Sequence, residues 1–285
     1  MILFKKATDL DRWLRQQRSI GKSVGFVPTL GALHEGHISL IDISKAATGV
    51  TVCSIFVNPT QFNDPKDFQK YPITIEKDIL LLETAGTDAL FLPDVAELYP
   101  GGTKELEKYE LGYLETILEG KYRPGHFQGV CQVMFRLLDK VRPDHLFMGQ
   151  KDYQQCMVVR RLIDLMGWTR AMVFHACPIV READGLAMSS RNLRLSEEDR
   201  KKALSIYQAL SGMKEGWMSG TADSKTLTDR ARQFLTEQGF RVDYVEIADA
   251  ATLNPLQKDN QPSNAVALVA AFMGEVRLID NMLFG

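Results

Sequence analysis

Two histidines three residues apart, His34 and His37, belong to a short motif suited to binding phosphate. An apolar run precedes the motif and a helical pattern follows it, so we expect the motif where a strand leads into the N-terminus of a helix. Such an N-terminus attracts anions through its backbone N–H groups, and imidazole rings add donors. Gly31 and Gly36 would let a phosphate approach the backbone. A helix cap with incidental surface histidines is the alternative, and a spacing of three across a glycine disfavours zinc.

Neutral amides and a lysine follow two further apolar runs. Asn58 and Gln61 come directly after one run, and amides can recognise hydroxyl and carboxylate groups without forming an ion pair. Lys151 and Gln155 come after another run, and their spacing of four places a cation and an amide on one helical face. The alternatives are an Asn-Pro turn for the first pair and a solvated first helical turn for the second.

Three further groups carry weaker signals. Asp78, in a predicted helix, could orient magnesium through water, or it could be an exposed helical acid. Arg123 and His126 could contact phosphate or a second subunit, and a plain turn is an equal alternative. Residues 188–191 form a loop whose two hydroxyls and guanidinium could cover a polyphosphate. No Ser/His/Asp triad can be identified, so no enzyme nucleophile is predicted.

The elements that must position these residues alternate between strands and helices. This alternation predicts parallel βαβ units and hence a doubly wound, Rossmann-like α/β domain over residues 1–179, with its ligand crevice at the carboxyl ends of the strands. Pro28 is expected to end the first predicted strand. The predicted strands span 24–27, 50–57, 88–92, 144–148 and 171–176, and the predicted helices include 9–20, 75–85, 128–140 and 153–166.

After residue 180 the pattern changes, and it predicts a smaller α+β domain over 180–285. Gly274 is expected to form a tight turn between the last two strands, and 259–263 a polar connection. The predicted elements are consecutive helices near 197–218 and 224–238, followed by strands over 242–248, 265–272 and 275–279.

Composition narrows the class of partner. The chain has 285 residues with 34 Lys plus Arg against 36 Asp plus Glu, and this balance argues against nucleic acid or an anionic membrane as the main partner. No apolar run reaches the roughly 18 residues of a membrane span, and the N-terminus lacks the apolar core of a signal peptide. Four cysteines without a C-x-x-C pair favour buried thiols in a reducing compartment. We therefore expect a cytoplasmic protein with small-molecule substrates.

Five motifs, in their order along the chain, resemble those of the pantoate–β-alanine ligase (pantothenate synthetase) family. They are PTLGALHEGH at 28–37, FVNPTQF at 56–62, RPGHF at 123–127, GQKDYQQ at 149–155 and MSSRN at 188–192. More distantly, the first and last look like the two signature motifs of class I aminoacyl-tRNA synthetases and related HIGH-motif nucleotidylyltransferases. Leu30 stands where the family usually has Met, and these side chains have similar volumes.

The resemblance implies an ATP-dependent condensation of pantoate with β-alanine. Pantoate would react with Mg-ATP to give pantoyl adenylate and pyrophosphate, and the β-alanine amine would then displace AMP to form pantothenate. The resemblance also implies Mg²⁺ with ATP as co-substrate, no bound organic cofactor, and a homodimer whose second domain closes over the nucleotide as a lid.

Residue roles follow from the same resemblance. The expected catalytic residues are His37, His34 and Lys151. The expected ATP-binding residues are Leu30, Gly31, His34, Gly36, His37, Gly149, Gln150, Lys151, Asp152, Val180, Met188, Ser189, Ser190 and Arg191. Pantoate or β-alanine would contact Gln61, Gln155, Asn58, Arg123 and His126, and Asp78 would hold Mg²⁺ through water.

Two other functions stay open from the sequence. A nucleotidylyltransferase would leave the nucleotide on its product, and a nucleotide-sensing or RNA-binding module would use the fold without chemistry. The amides at Asn58, Gln61 and Gln155 favour a hydroxy-acid substrate over the transferase. The absence of a basic stripe argues against RNA.

Overall fold

Residues 1–63, 65–256 and 264–285 are described in the computed structural model, without the side chains of residues 65 and 66. The predicted polar connection at 259–263 lies outside the described residues. The described chain divides into two compact units, Met1–Pro178 and Ile179–Gly285. None of its described helices is both long enough and apolar enough to span a bilayer.

The first unit is built, over its described residues, on a six-stranded parallel sheet, which confirms the α/β prediction. Its strands are β1 (Ile2–Phe4), β2 (Val24–Thr29), β3 (Val50–Ile55), β4 (Ala89–Phe91), β5 (His145–Gly149) and β6 (Val173–Cys177). They lie in the order β1-β4-β3-β2-β5-β6. The chain therefore leaves β2 toward one edge and returns on its other side at β5, which makes the β2/β5 boundary the topological switch point.

Helices cover both faces of this sheet. They are α1 (Ala7–Ser19), α2 (Glu35–Ala47), α3 (Pro65–Gln69), α4 (Ile75–Thr84), α5 (Val95–Leu98), α6 (Leu118–Tyr122), α7 (His126–Val141) and α8 (Tyr153–Leu165). Successive strand residues point to opposite faces. In β2, Phe26 joins a core cluster with residues of α1, α7 and α8, whereas Val27 joins a second cluster with residues of α2 and α4. The inner strands β2 and β3 are thus buried on both faces, as their apolar runs predict.

Over the described residues, β2 and β5 pair near their start and not toward their carboxyl ends. The described pairing includes Gly25 and Phe26 of β2 and extends no further, although both strands continue. The Thr29 carbonyl accepts from the Phe56 N–H on the β3 side, so Pro28, one residue earlier, faces β5. Pro28 has no N–H to donate there. Pro28 therefore does not end β2, as the sequence suggests, but it cannot donate to β5, and we call the unpaired ends of these two strands the β2/β5 gap.

The second unit combines helices with an antiparallel sheet, which agrees with the α+β prediction. Its helices are α9 (Glu197–Ala203), α10 (Ser205–Met218) and α11 (Ser224–Glu237), and its strands are β7 (Arg241–Asp249), β8 (Ala265–Met273) and β9 (Val276–Leu283), in the order β7-β8-β9. Residues 197–218 form two helices instead of the single predicted one. Alternate residues of β8, such as Ala267 and Val269, pack in one core with α10 and α11.

Candidate active site

The loop after β2 begins with Leu30 and Gly31 and needs a glycine at its second position. Gly31 has φ +85°, and a Cβ there would lie 3.0 Å from Ile55 Cγ2 and 3.2 Å from Asp78 Oδ2. Its N–H donates to Thr29 Oγ1 at 3.2 Å. The close approach of α4 and β3 therefore fixes the path of the chain toward the histidines.

Asp78 ties this loop to α4. Its carboxylate accepts from the backbone N–H groups of Ala32 and Leu33, each at 2.9 Å, and from the Thr74 hydroxyl at 3.0 Å. Ala32 has φ +49°, a left-handed conformation that these bonds help to hold. Asp78 is 1% exposed, so the alternative of an exposed helical acid is wrong. Three of about four acceptor positions are used, so direct metal ligation does not fit, and contact with Mg²⁺ through water stays a prediction.

His34 and His37 form the first turn of α2, as predicted. His34 caps the helix, because its Nδ1 accepts from the Gly36 N–H at 3.2 Å, and the His34 N–H donates to His37 Nδ1 at 3.3 Å. Each Nδ1 is thus an acceptor, which assigns the neutral Nε2–H form to both rings. The ring centroids are 4.1 Å apart. The pair therefore presents two Nε2–H donors from one turn of helix.

The structure places Lys151, which follows β5, close enough to His37 for its charge to act on that ring. Lys151 lies in a short 3-10 helix, Gln150–Asp152, that follows Gly149 at the end of β5. Burial, with smaller contributions from the charges of His34 and Lys151, lowers the pKa of His37 to about 3. His37 is consequently neutral at physiological pH, and the positive charge of this site comes from lysine.

The backbone of the loop contributes less to anion binding than the sequence suggests. The N–H groups of Gly31, Ala32, Leu33, His34 and Gly36 all donate within the protein. Because these donors are occupied, a phosphate at this edge would be bound through imidazole Nε2–H groups, Lys151 and the α2 dipole. The predicted contacts of Gly31 and Gly36 with phosphate stay predictions, and the N–H groups of both residues are engaged within the protein.

The loop after β3 brings Asn58 and Gln61 to the same edge of the sheet. Gln61 ends a 3-10 helix, Pro59–Gln61, that is capped by Asn58. The Asn58 side chain is fully buried and donates to the Gly129 carbonyl at 3.1 Å and to Gln61 Oε1 at 3.3 Å. These contacts give Asn58 a role in holding Gln61, and its predicted direct contact with substrate stays a prediction.

His126 contacts the backbone of this loop, and Arg123 contacts His126. His126 Nδ1 is 2.7 Å from the Gln61 carbonyl oxygen, and its Nε2 is 3.0 Å from an Arg123 guanidinium nitrogen. A carbonyl only accepts, so Nδ1 carries the proton of a neutral ring. Arg123 is also 3.5 Å from a carboxylate oxygen of Glu119. Their predicted substrate contacts stay predictions, and the structure shows them supporting Gln61.

Gln154 and Gln155, in the first turn of α8, differ in their surroundings. Gln155 is half-buried, and in the described part of the chain its amide has no hydrogen-bond partner, which suits a ligand-binding group. Gln154 is buried, accepts from the Glu119 N–H at 2.9 Å and donates to the Leu114 carbonyl at 2.8 Å. The sequence motif contains both glutamines but gives no signal that Gln154 anchors a neighbouring segment.

The MSSRN motif lies wholly in the second unit and is held there as one loop. The Met188 N–H donates to the Val180 carbonyl at 3.1 Å, and Ser189 caps a 3-10 helix, Ser190–Arg194. Asn192 Nδ2 donates to the Ala187 carbonyl at 3.1 Å. Nothing in these contacts tests the predicted binding of ATP by Val180, Met188, Ser189, Ser190 and Arg191.

None of the four cysteines is suited to act as a nucleophile. All are free and buried. Burial raises the pKa of Cys53 and Cys131 to about 12 and that of Cys177 to about 11, and it raises the pKa of Cys156 as well. Within the described ranges, no three His, Cys, Asp or Glu side chains are grouped to hold a metal ion.

Comparisons with known proteins agree over nearly the whole chain. The family model for pantoate-beta-alanine ligase matches residues 2–283, a range that includes all five motifs. The pantothenate synthetase of Bacteroides thetaiotaomicron is 43% identical over 277 residues, 97% of this chain and 96% of that protein. The crystal structure of pantothenate synthetase from Thermus thermophilus superposes with a TM-score of 0.91 at 40% identity and covers 99% of both chains. The crystal structure of a Francisella tularensis pantoate-beta-alanine ligase, complexed with beta-gamma ATP and beta-alanine, superposes with a TM-score of 0.80 at 34% sequence identity. The match covers 100% of this chain and 98% of that one.

Proposed function

Because the chain belongs to the pantoate–β-alanine ligase family, it is an ATP-dependent ligase, and we propose that the carboxyl edge of its six-stranded sheet carries out the reaction. The pantoate carboxylate attacks the α-phosphorus of ATP and releases pyrophosphate. The β-alanine amine then attacks the acyl carbon of pantoyl adenylate and releases AMP. The observation that carries this placement is the neutral His34–His37 pair beside Lys151 at the β2/β5 gap.

Charge stabilisation is the proposed task of the two histidines and the lysine. Negative charge develops on phosphoryl oxygens as pyrophosphate leaves, and preorganised donors stabilise it without reorganising. His34 and His37 supply neutral Nε2–H donors that keep their protons, since each Nδ1 is already engaged. Lys151 supplies the positive charge. This division of labour requires no proton transfer by an imidazole.

Pantoate is proposed to bind at the amides of the neighbouring loops. Gln61 and Gln155 lie in loops or helix starts that follow β3 and β5, and neutral amides hold a carboxylate while leaving it nucleophilic. The side chains of Asn58 and His126 hydrogen-bond Gln61, and Arg123 in turn hydrogen-bonds His126. The reacting carboxylate would thus be oriented toward the phosphate site at the next strand.

The amine is proposed to attack the adenylate directly. A route through an acyl-enzyme would need a nucleophile, and the four thiols are buried with raised pKa values, which leaves little thiolate. Adenylation already supplies a good leaving group. Exclusion of water from the reactive mixed anhydride then becomes the main demand on the site.

Four parts of the proposal rest on the family resemblance. Val180 and residues 188–191 contribute to ATP binding, Mg²⁺ accompanies ATP, the chain forms a homodimer, and it works in the cytoplasm. The buried free thiols support a reducing compartment. Sedimentation of the purified protein tests the homodimer, and a sedimentation coefficient of a monomer at micromolar concentration would reject it.

Exchange of labelled pyrophosphate into ATP, measured with pantoate and without β-alanine, tests the proposed function. We expect exchange that depends on pantoate, and ¹⁸O-labelled pantoate carboxylate should transfer one labelled oxygen to AMP in the complete reaction. His37→Ala, assayed in parallel, should lose exchange. A requirement for β-alanine, unlabelled AMP, or a pantoyl group attached to denatured protein would reject the proposed route.

A further inference from the structure

Tyr99 lies outside all five motifs, directly after α5, and its hydroxyl reaches the loop after β3. We propose that Tyr99 is a positioning residue that holds the Gln61 amide with its NH2 group available to substrate oxygens. The inference rests on the proposed function, because it deepens the role of Gln61 at the pantoate site. It follows from the directions of the hydrogen bonds that join the two residues.

The amide between them, that of Asn58, has a single satisfactory orientation. Its Nδ2 donates to the Gly129 carbonyl at 3.1 Å, a group that only accepts, and its Oδ1 accepts from the Thr60 backbone N–H at 3.4 Å, a group that only donates. Rotation of the amide by 180° would place its oxygen against the Gly129 carbonyl and its NH2 group against the Thr60 N–H. Tyr99 Oη donates to the same Oδ1 at 2.8 Å, the shortest of these contacts.

This orientation is transmitted to Gln61. Asn58 Nδ2 donates to Gln61 Oε1 at 3.3 Å, so the oxygen of the Gln61 amide faces Asn58. The NH2 group is then the end left for a substrate. An NH2 group binds hydroxyl and carboxylate oxygens, which pantoate carries, and offers nothing to a substrate N–H. The Tyr99–Asn58–Gln61 series therefore selects for an acceptor at this position.

Tyr99 is well suited to this role because its ring cannot move freely. It is 3% exposed, and the guanidinium of Arg136 lies over the ring at 4.6 Å from its centroid. The ring of Phe56 packs beside it, with centroids 6.3 Å apart. Burial raises the pKa of Tyr99, so the hydroxyl keeps its proton and remains a donor.

The backbone of Gln61 is held by a different contact. His126, the first residue of α7, donates from Nδ1 to the Gln61 carbonyl oxygen at 2.7 Å, and this bond does not involve Tyr99. Loss of the Tyr99 hydroxyl removes the shortest of the bonds that hold the Asn58 amide, so the Gln61 amide should be held less firmly while the loop keeps its place. This separation makes the proposal testable with a single-atom change.

Tyr99→Phe is the test, with kcat/KM for pantoate and for ATP measured by pyrophosphate exchange. We expect a loss of about 2- to 12-fold for pantoate, the range of one net hydrogen bond, and less than about 2-fold for ATP. Tyr109→Phe is the matched control, because Tyr109 is a buried tyrosine of the same core whose hydroxyl does not contact Asn58. Its kinetic constants should match the wild type.

A double-mutant cycle separates positioning from general damage. In a Gln61→Ala background there is no amide to orient, so adding Tyr99→Phe should leave kcat/KM for pantoate unchanged. This ratio comes from the linear dependence on pantoate even when binding is weak. An equal loss in both backgrounds, or an equal loss for ATP, would overturn the proposal. Pantoate-dependent exchange by the wild type shows separately whether the proposed function holds.

Discussion

The buried carboxylate of Asp78 offers the sharpest test of how the histidine loop is held. In Asp78→Asn, one end of the side chain becomes an NH2 group, so it can accept from Ala32 or from Leu33 but not from both. One buried backbone N–H then loses its acceptor, which costs about 1–3 kcal/mol. For a unit that spans Met1–Pro178, this corresponds to a fall in Tm of roughly 2–12 °C. Activity should fall as well, because the loop leads directly to His34.

Glu76→Gln is the matched control for Asp78→Asn. Glu76 lies in the same first turn of α4 and is exposed, so the substitution removes the same charge from the helix N-terminus without touching the loop. Differential scanning calorimetry should show the larger fall in Tm for Asp78→Asn. Equal Tm values for the two variants would refute the reasoning. A raised KM for Mg²⁺ with a normal Tm would favour the water-mediated metal contact instead.

Three further outcomes are expected from the site geometry. His37→Ala should fold normally and lower kcat by about 100- to 1000-fold, since one preorganised donor is worth about 2.7–4 kcal/mol; wild-type turnover would remove His37 from the mechanism. Burial is the main cause that lowers the pKa of His37 from 6.5 to about 3, so between these pH values the unfolded chain binds more protons than the folded protein. The wild type should therefore lose stability relative to His37→Gln as pH falls from 6.5 toward 3. Parallel pH profiles of urea unfolding for the two proteins would contradict this. Gln155→Ala should raise KM for pantoate far more than KM for ATP in steady-state assays, and equal increases would reject Gln155 as a pantoate ligand.

The elements that could be predicted from the sequence are those whose own residues carry the signal. β3 and β5 are continuous apolar runs, and their ends were predicted to within about two residues. β1 was missed, because it has three residues, lies at the sheet edge and exists only through pairing with β4. The helices α5 and α6 were missed as well, because their four and five residues are too few for a periodic pattern.

The candidate site shows the same limit. Its residue types and their places after strands could be predicted, since parallel strands bring their carboxyl ends together. The contacts that fix these residues could not, because they join distant segments: Asp78 bonds a loop 46 residues earlier, and Tyr99 bonds Asn58 across 41 residues. The neutral form of His37 likewise depends on burial and on Lys151, which no local spacing reveals.

The separation of β2 from β5 has a consequence for how such a site can change over time. The gap is a property of the main chain, set by a proline that lacks an N–H and by the end of strand pairing after Phe26. Side chains on its rim can therefore be exchanged without closing it, and a new substrate can be accommodated by altering residues such as Gln61 or Gln155 alone. Pro28 itself has no such freedom, because any other residue there would restore a donor facing β5.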